Sequence, residues 1–117
     1  MPRLNEFPAV VKNVRNAVDP SMQSEGVEGY IFDGVDGSQA AFWSCLKDGV
    51  SREHAHPYEE YFLVIQGSYI LLICGRRVTM KRGDEYLIPL DTPHAGEFKA
   101  GTRTIHVFGG RRAERRP

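Results

Sequence analysis

The chain has little of what would staple a protein, carry it through a membrane or charge it. Only two cysteines, Cys45 and Cys74, occur in 117 residues. Their spacing fits neither a CxxC redox pair nor a zinc knuckle, so both are expected as buried free thiols acting as small hydrophobes. No stretch approaches the ~20 apolar residues of a membrane helix, and the opening Met1-Pro2-Arg3-Leu4-Asn5-Glu6 is no apolar leader. A cytoplasmic protein is the expectation. Net charge is also missing: 15 Lys plus Arg balance 15 Asp plus Glu, which leaves no global field to gather a phosphate backbone or an anionic membrane. Neither nucleic acid nor membrane is expected as a partner.

What is present is enough for one core. A chain of 117 residues with 41% hydrophobic content suits a single domain that folds without disulfides. Residues 1–25 read as an N-terminal arm or short helix, with Val10, Val11, Val14 and Val18 as a loose apolar stripe. From residue 26 to 110 short apolar runs alternate with turn residues, the mark of an all-β sandwich or barrel. Strands are predicted at 28–32, 40–46, 60–66, 68–73, 78–80, 85–89 and 102–108. No long amphipathic helix and no repeat follows residue 25. Residues 111–117, with four arginines after Gly109-Gly110, read as a flexible basic tail.

The histidines carry the chemistry. In the stretch from Gly49 to Gly67, His54 and His56 are two residues apart, so an extended backbone presents both imidazoles on one face. Pro57 allows a turn after them, and Glu60 opens the next apolar run, from which a paired strand returns a carboxylate to the histidines. A second cluster runs from Gly83 through Pro89 to His94 and offers a fourth ligand.

These two stretches resemble the two short motifs of the cupin family. His54, His56, Glu60 and His94 match the family's metal ligands, and Gly67, Gly83 and Pro89 match its turn and strand-end positions. The resemblance covers about residues 40–108 and departs at three places: Gly49 stands four residues before His54 instead of five, Asp91 replaces a glycine, and Phe98 replaces an asparagine. It implies a double-stranded β-helix, or jelly-roll, barrel of the small single-domain type. It also implies one divalent transition metal ion per chain, with iron, manganese, nickel, cobalt, copper and zinc all compatible with imidazole and carboxylate.

Strand alternation extends the site. With Glu60 inward, Phe62 and Val64 share its face, and Thr104, His106 and Phe108 form the pocket face of the last strand. His106 is then a hydrogen-bond donor behind the ligands or a proton shuttle, and Glu60 a second proton-moving group. Phe42 and Tyr58 are candidate substrate contacts. The pocket reads as apolar and aromatic with few cations, which argues against a sugar nucleotide or phosphate. Strands apolar on both faces need a cover from the arm or a second subunit, so a homodimer is expected. The resemblance favours a metal-dependent dioxygenase or other oxidoreductase acting on a small organic substrate. An isomerase or lyase of the same fold, and a non-catalytic barrel that binds a sugar or metabolite, remain open.

Overall fold

Short alternating runs bounded by turn residues become nine antiparallel strands among the described residues of a computed structural model, which describes residues 3–117. The first two residues of the expected arm lie outside the described residues. The strands are β1 (Val27–Asp33), β2 (Gln39–Cys45), β3 (Gly49–Val50), β4 (Glu60–Gln66), β5 (Ser68–Ile73), β6 (Arg76–Lys81), β7 (Glu85–Ile88), β8 (His94–Phe98) and β9 (Arg103–Phe108). They form a five-stranded sheet in the order β1-β2-β9-β4-β7 and a four-stranded sheet in the order β3-β8-β5-β6, a jelly-roll barrel. No described helix is long and apolar enough to cross a membrane.

All seven predicted strands are present, and β3 and β8 are additions. His-Ala-Gly-Glu-Phe has no β-branched residue to mark it as a strand, yet β8 is paired on both sides, by β5 and β3. Gly96 belongs there because a Cβ would overlap the Tyr69 hydroxyl. The core lies between the sheets in two clusters. One gathers Phe62, Val64, Leu71, Ile73, Met80 and Ile88. The other gathers Val18, Ile31, Ala41, Trp43, Phe108 and Ala113. Each Val, Leu, Ile, Phe or Met among them contributes about 1.5–3 kcal/mol relative to exposure.

The terminal segments differ from expectation. Of the valine stripe only Val18 is buried, while Val10 and Val14 are each 76% exposed; the arm forms short 3-10 turns at Val14–Asn16 and Pro20–Met22 in place of a helix. Phe7 covers part of the outer sheet face, edge-on to Phe42 at 5.4 Å and under the Arg103 guanidinium at 4.8 Å. The basic tail is docked, not free. Asp19 N–H donates to the Glu114 carbonyl at 2.8 Å and Arg116 N–H to Ala17 at 3.0 Å, Arg115 pairs with Asp33, and Ala113 is buried. Cys74 is corrected as well: it sits exposed in the β5–β6 turn at φ 52°, whereas Cys45 is buried as expected.

The buried Gln39 amide fastens this C-terminal segment. Its oxygen accepts from Arg112 N–H at 2.6 Å and Ala113 N–H at 3.0 Å. Its nitrogen donates to the Ala113 carbonyl at 3.0 Å and to Asp33 at 2.9 Å. Sequence composition reads only the arginines and so misses the anchor, which is 74 residues away. Gln39→Ala strands two backbone donors and is expected to cost about 1–3 kcal/mol, read as a lower urea midpoint. An unchanged midpoint would mean that the segment is not held this way in solution.

Candidate metal centre

Extended backbone carries His54 and His56 across the gap between β3 and β4. His54 is tied to the start of β8 by reciprocal backbone hydrogen bonds with His94, both 2.9 Å. Pro57 ends this run, and Glu60 is the first residue of β4. The His56 carbonyl accepts from Asp91 N–H at 2.6 Å, and Asp91 adopts φ 57°. The residue that replaces the family's glycine thus keeps the left-handed backbone, which aspartate tolerates better than most residues.

The side chains of His54, His56, Glu60 and His94 bring their ligand atoms within 4.8 Å of one another. Glu60 Oε1 lies 3.2 Å from His94 Nε2 and 3.4 Å from His56 Nε2. His54 Nδ1–H donates to the Arg52 carbonyl at 2.7 Å and His94 Nδ1–H to the Thr92 carbonyl at 2.8 Å. With the proton on Nδ1, each Nε2 lone pair is left for a ligand, the arrangement that orients histidines around metals. His56 Nε2, His94 Nε2 and Glu60 Oε1 are buried with no hydrogen-bond partner. Unpartnered buried polar atoms are costly, about 1–3 kcal/mol each. Three that converge on one point fit a cation, and a donor set of three imidazoles and one carboxylate fits a divalent transition metal.

Charge and hydrogen bonding are matched around Glu60. Burial opposes its ionisation, but the hydrogen bond from His106 at Oε2 and the His56 and His94 imidazoles facing Oε1 outweigh that and hold the carboxyl well below its usual range. Burial lowers His54. For His94 the burial penalty is exceeded by its contacts with the Glu60 carboxylate and the Thr92 carbonyl, so its net shift is upward. His106 Nδ1–H donates to Glu60 Oε2 at 2.7 Å, and its Nε2 accepts from the Thr104 hydroxyl at 3.0 Å. The ring stacks on Phe62 with centroids 4.8 Å apart. Glu60 therefore points one oxygen at His106 and the other at the histidine cluster.

A cavity of about 620 Å³, its open mouth included, runs from this cluster into the barrel. His54, Glu60, His94 and His106 line it, as expected of the pocket face. Phe42 does not. Ala41 pairs with His106 and Trp43 with Thr104, so Ala41, Trp43 and Cys45 face the barrel interior, Trp43 and Cys45 line the cavity, and Phe42 packs outside against Phe7 and Phe32. Pairing phase decides this, and a strand of apolar residues on both faces hides it. Tyr58 is corrected too: it lies off the cavity, stacked behind His56 at 5.0 Å, in a space kept open by Gly110. Sequence reasoning missed Trp43, Gln23 and Arg112, all of which line the cavity. The inward Thr104 and His106 signalled Trp43 through strand pairing; the other two come from the termini and had no such signal.

A family model described as a cupin domain matches residues 42–108. No curated protein sequence is significantly similar to this chain. Among solved structures, KdgF from Halomonas sp. is 20% identical with a TM-score of 0.69, covering 86% of this chain and 86% of that one. An RmlC-like cupin from Shewanella frigidimarina is 18% identical, TM-score 0.69, over 79% of this chain and 80% of its own. Salicylate 1,2-dioxygenase from Pseudoaminobacter salicylatoxidans, as its adduct with gentisate, is 12% identical, TM-score 0.67, over 73% of this chain and 25% of its own. At these identities the likeness is one of fold.

Cys45 supplies a local probe of the cavity wall. Burial pushes its thiol up to about 12, so the folded protein holds it as the unreactive thiol. A disulfide exchange reagent at pH 8 is expected to titrate one thiol per chain, the exposed Cys74, and a second only after denaturation. Because the folded value is raised from 9.0, Cys45 favours folding below about pH 9 and that contribution is lost as pH rises toward 12. Two rapidly reacting thiols in the native protein would contradict the buried placement.

Proposed function

The chain belongs to the cupin family, and from that premise we propose that it is a mononuclear metal-dependent enzyme that oxidises a small organic substrate with dioxygen. The observation that carries the metal is the convergence of buried, unpartnered His56 Nε2, His94 Nε2 and Glu60 Oε1 beside His54. The fold likeness to salicylate 1,2-dioxygenase and an apolar, aromatic cavity wall support the dioxygenase reading.

His54, His56, Glu60 and His94 would hold the ion, which when bound supplies Lewis-acid polarisation and, for a redox metal, access to dioxygen. The chain's own residues do the rest. Nδ1–H donation to the Arg52 and Thr92 carbonyls fixes the ring planes of His54 and His94. His106 holds the Glu60 carboxylate by Oε2 and keeps Oε1 on the cluster. Its Nε2, hydrogen-bonded to Thr104 at the cavity wall, gives a proton a path between wall and carboxylate. Trp43, Phe62 and Phe98 give the cavity apolar wall, against which charge interactions are stronger than in bulk water.

A homodimer is part of the proposal. Leu87, Tyr61, Val107, Ala40 and Phe32 pair in register across all five strands of the larger sheet and so form one outward apolar row. Leu87 is 55% exposed and Val107 43%. A second copy laid on this row would remove it from water.

Elemental analysis of protein purified without added metal is expected to give near one equivalent of a transition metal, lost in a His54→Ala/His94→Ala variant that keeps its β-sheet circular dichroism. No metal even after reconstitution would sink the proposal, and unfolding of the variant would make the ion structural. His106→Gln should weaken metal affinity by about 10–100-fold while leaving the stoichiometry at saturation intact. In sedimentation velocity the wild type should run as a dimer and Leu87→Glu/Val107→Glu as a monomer; a monomeric wild type would remove the dimer from the proposal.

A further inference from the structure

The cavity wall draws on different parts of the chain. The ligand cluster, His106 and Trp43 lie within residues 42–108, whereas Gln23, Ser24 and Arg112 lie outside that span and line the same cavity. They are brought there by the clasp of the termini. Val18 bridges Arg115, and Asp19 N–H donates to the Glu114 carbonyl. The Arg112 guanidinium donates to the Met22 carbonyl at 3.3 Å, and the Arg112 N–H is held by the buried Gln39. Gln39 is thus a positioning residue for an arginine whose own head group is barely engaged.

Among the described residues no carboxylate pairs with Arg112. Glu60 is the one carboxylate in the cavity wall, and His106 and the cluster already occupy it. Loaded with a divalent ion, the cluster of three imidazoles and one carboxylate would carry a single net positive charge. The Arg112 guanidinium, half-buried in the wall of the same cavity, adds another. A cavity of this kind favours an anion, and a planar guanidinium fork matches a carboxylate.

We propose that Arg112 is the anion-recognition residue of this cavity and that the natural substrate is a small organic carboxylate, whose acid group docks on Arg112. The assignment deepens the metalloenzyme reading and rests on it for the role of the cavity. It also revises the sequence-based expectation of a pocket with few cations: the missing cation arrives from the segment that reads as a tail.

Trp43 is the single tryptophan of the chain and lines the cavity, so its fluorescence reports ligand entry without any turnover. The probes are lactate and 4-oxopentanoate, each against its own primary amide, which keeps the shape and removes the charge. Titrations use the full-length protein as purified, at millimolar probe, with elemental analysis of every sample. The wild type is expected to bind each acid about tenfold or more tightly than its amide, the effect of one charge-assisted contact. Arg112→Gln should bring that ratio close to unity at unchanged metal content, and Arg112→Lys should restore part of it. Gln39→Ala should weaken acid binding more than amide binding.

Equal binding of acid and amide by the wild type, or no binding of any probe, overturns the assignment. So does a preference that survives in Arg112→Gln. Loss of the metal in Arg112→Gln would transfer the preference to the ion and overturn it as well. The two readings fail separately: metal-free wild type that still prefers the acids removes the metalloenzyme and keeps Arg112, whereas metal-loaded protein without the preference does the reverse.

Discussion

The Glu60 carboxylate is the point on which the arrangement turns. A buried carboxylate is expensive unless every oxygen is engaged, and here Oε2 is engaged by His106 while Oε1 faces His56 and His94. That division of labour follows from strand geometry. Glu60 pairs with Phe108 and Phe62 with His106, so Glu60 and His106 are diagonal neighbours on the inner face, a spacing long side chains can bridge. The register of β4 on β9 therefore fixes which carboxylate oxygen is left for the cluster.

The remaining ligands are placed by backbone. His54 and His94 are locked by a two-way backbone bridge, and their Nδ1 atoms are committed to carbonyls of Arg52 and Thr92. Two flanking side chains brace His56: the Tyr58 ring stacks on it, and Phe108 meets it edge-on at 5.8 Å. Almost no rotameric freedom is left in the cluster. Such preorganisation is what a metal site needs, because a ligand that must be ordered on binding costs affinity.

How much of this was legible in the sequence depends on whether local pattern or long-range pairing decides. The HisxHis spacing, Glu60 and His94 were readable because motif spacing and strand alternation act over a few residues. Seven of the nine strands were readable for the same reason. β8 was not, since His94–Phe98 lacks strand-forming composition and owes its conformation to β5 and β3. The inward face of β2 was not, because Phe42 and Trp43 are equally apolar and only the register with β9 chooses between them. The role of residues 111–117 was hidden deepest. Its anchor is the Gln39 amide, far away in sequence, and four arginines in seven residues look the same whether solvated or docked.

That last case bears on how such a barrel acquires selectivity. The metal end of the cavity is built by strands whose register cannot shift without turning Glu60 and His106 away from the interior. Gln23, Ser24 and Arg112 come to the wall from two terminal segments, which backbone hydrogen bonds join to each other, while the Gln39 amide and the Arg115–Asp33 ion pair fasten the C-terminal one to β2 and β1. Those segments supply no ligand of the cluster and no strand of the two sheets, so a substitution at a lining residue such as Arg112 can change what enters the cavity without removing what would hold an ion. Substrate class would then be encoded where motif spacing is least informative, and the residues to compare between such barrels are those that the termini deliver to the cavity mouth.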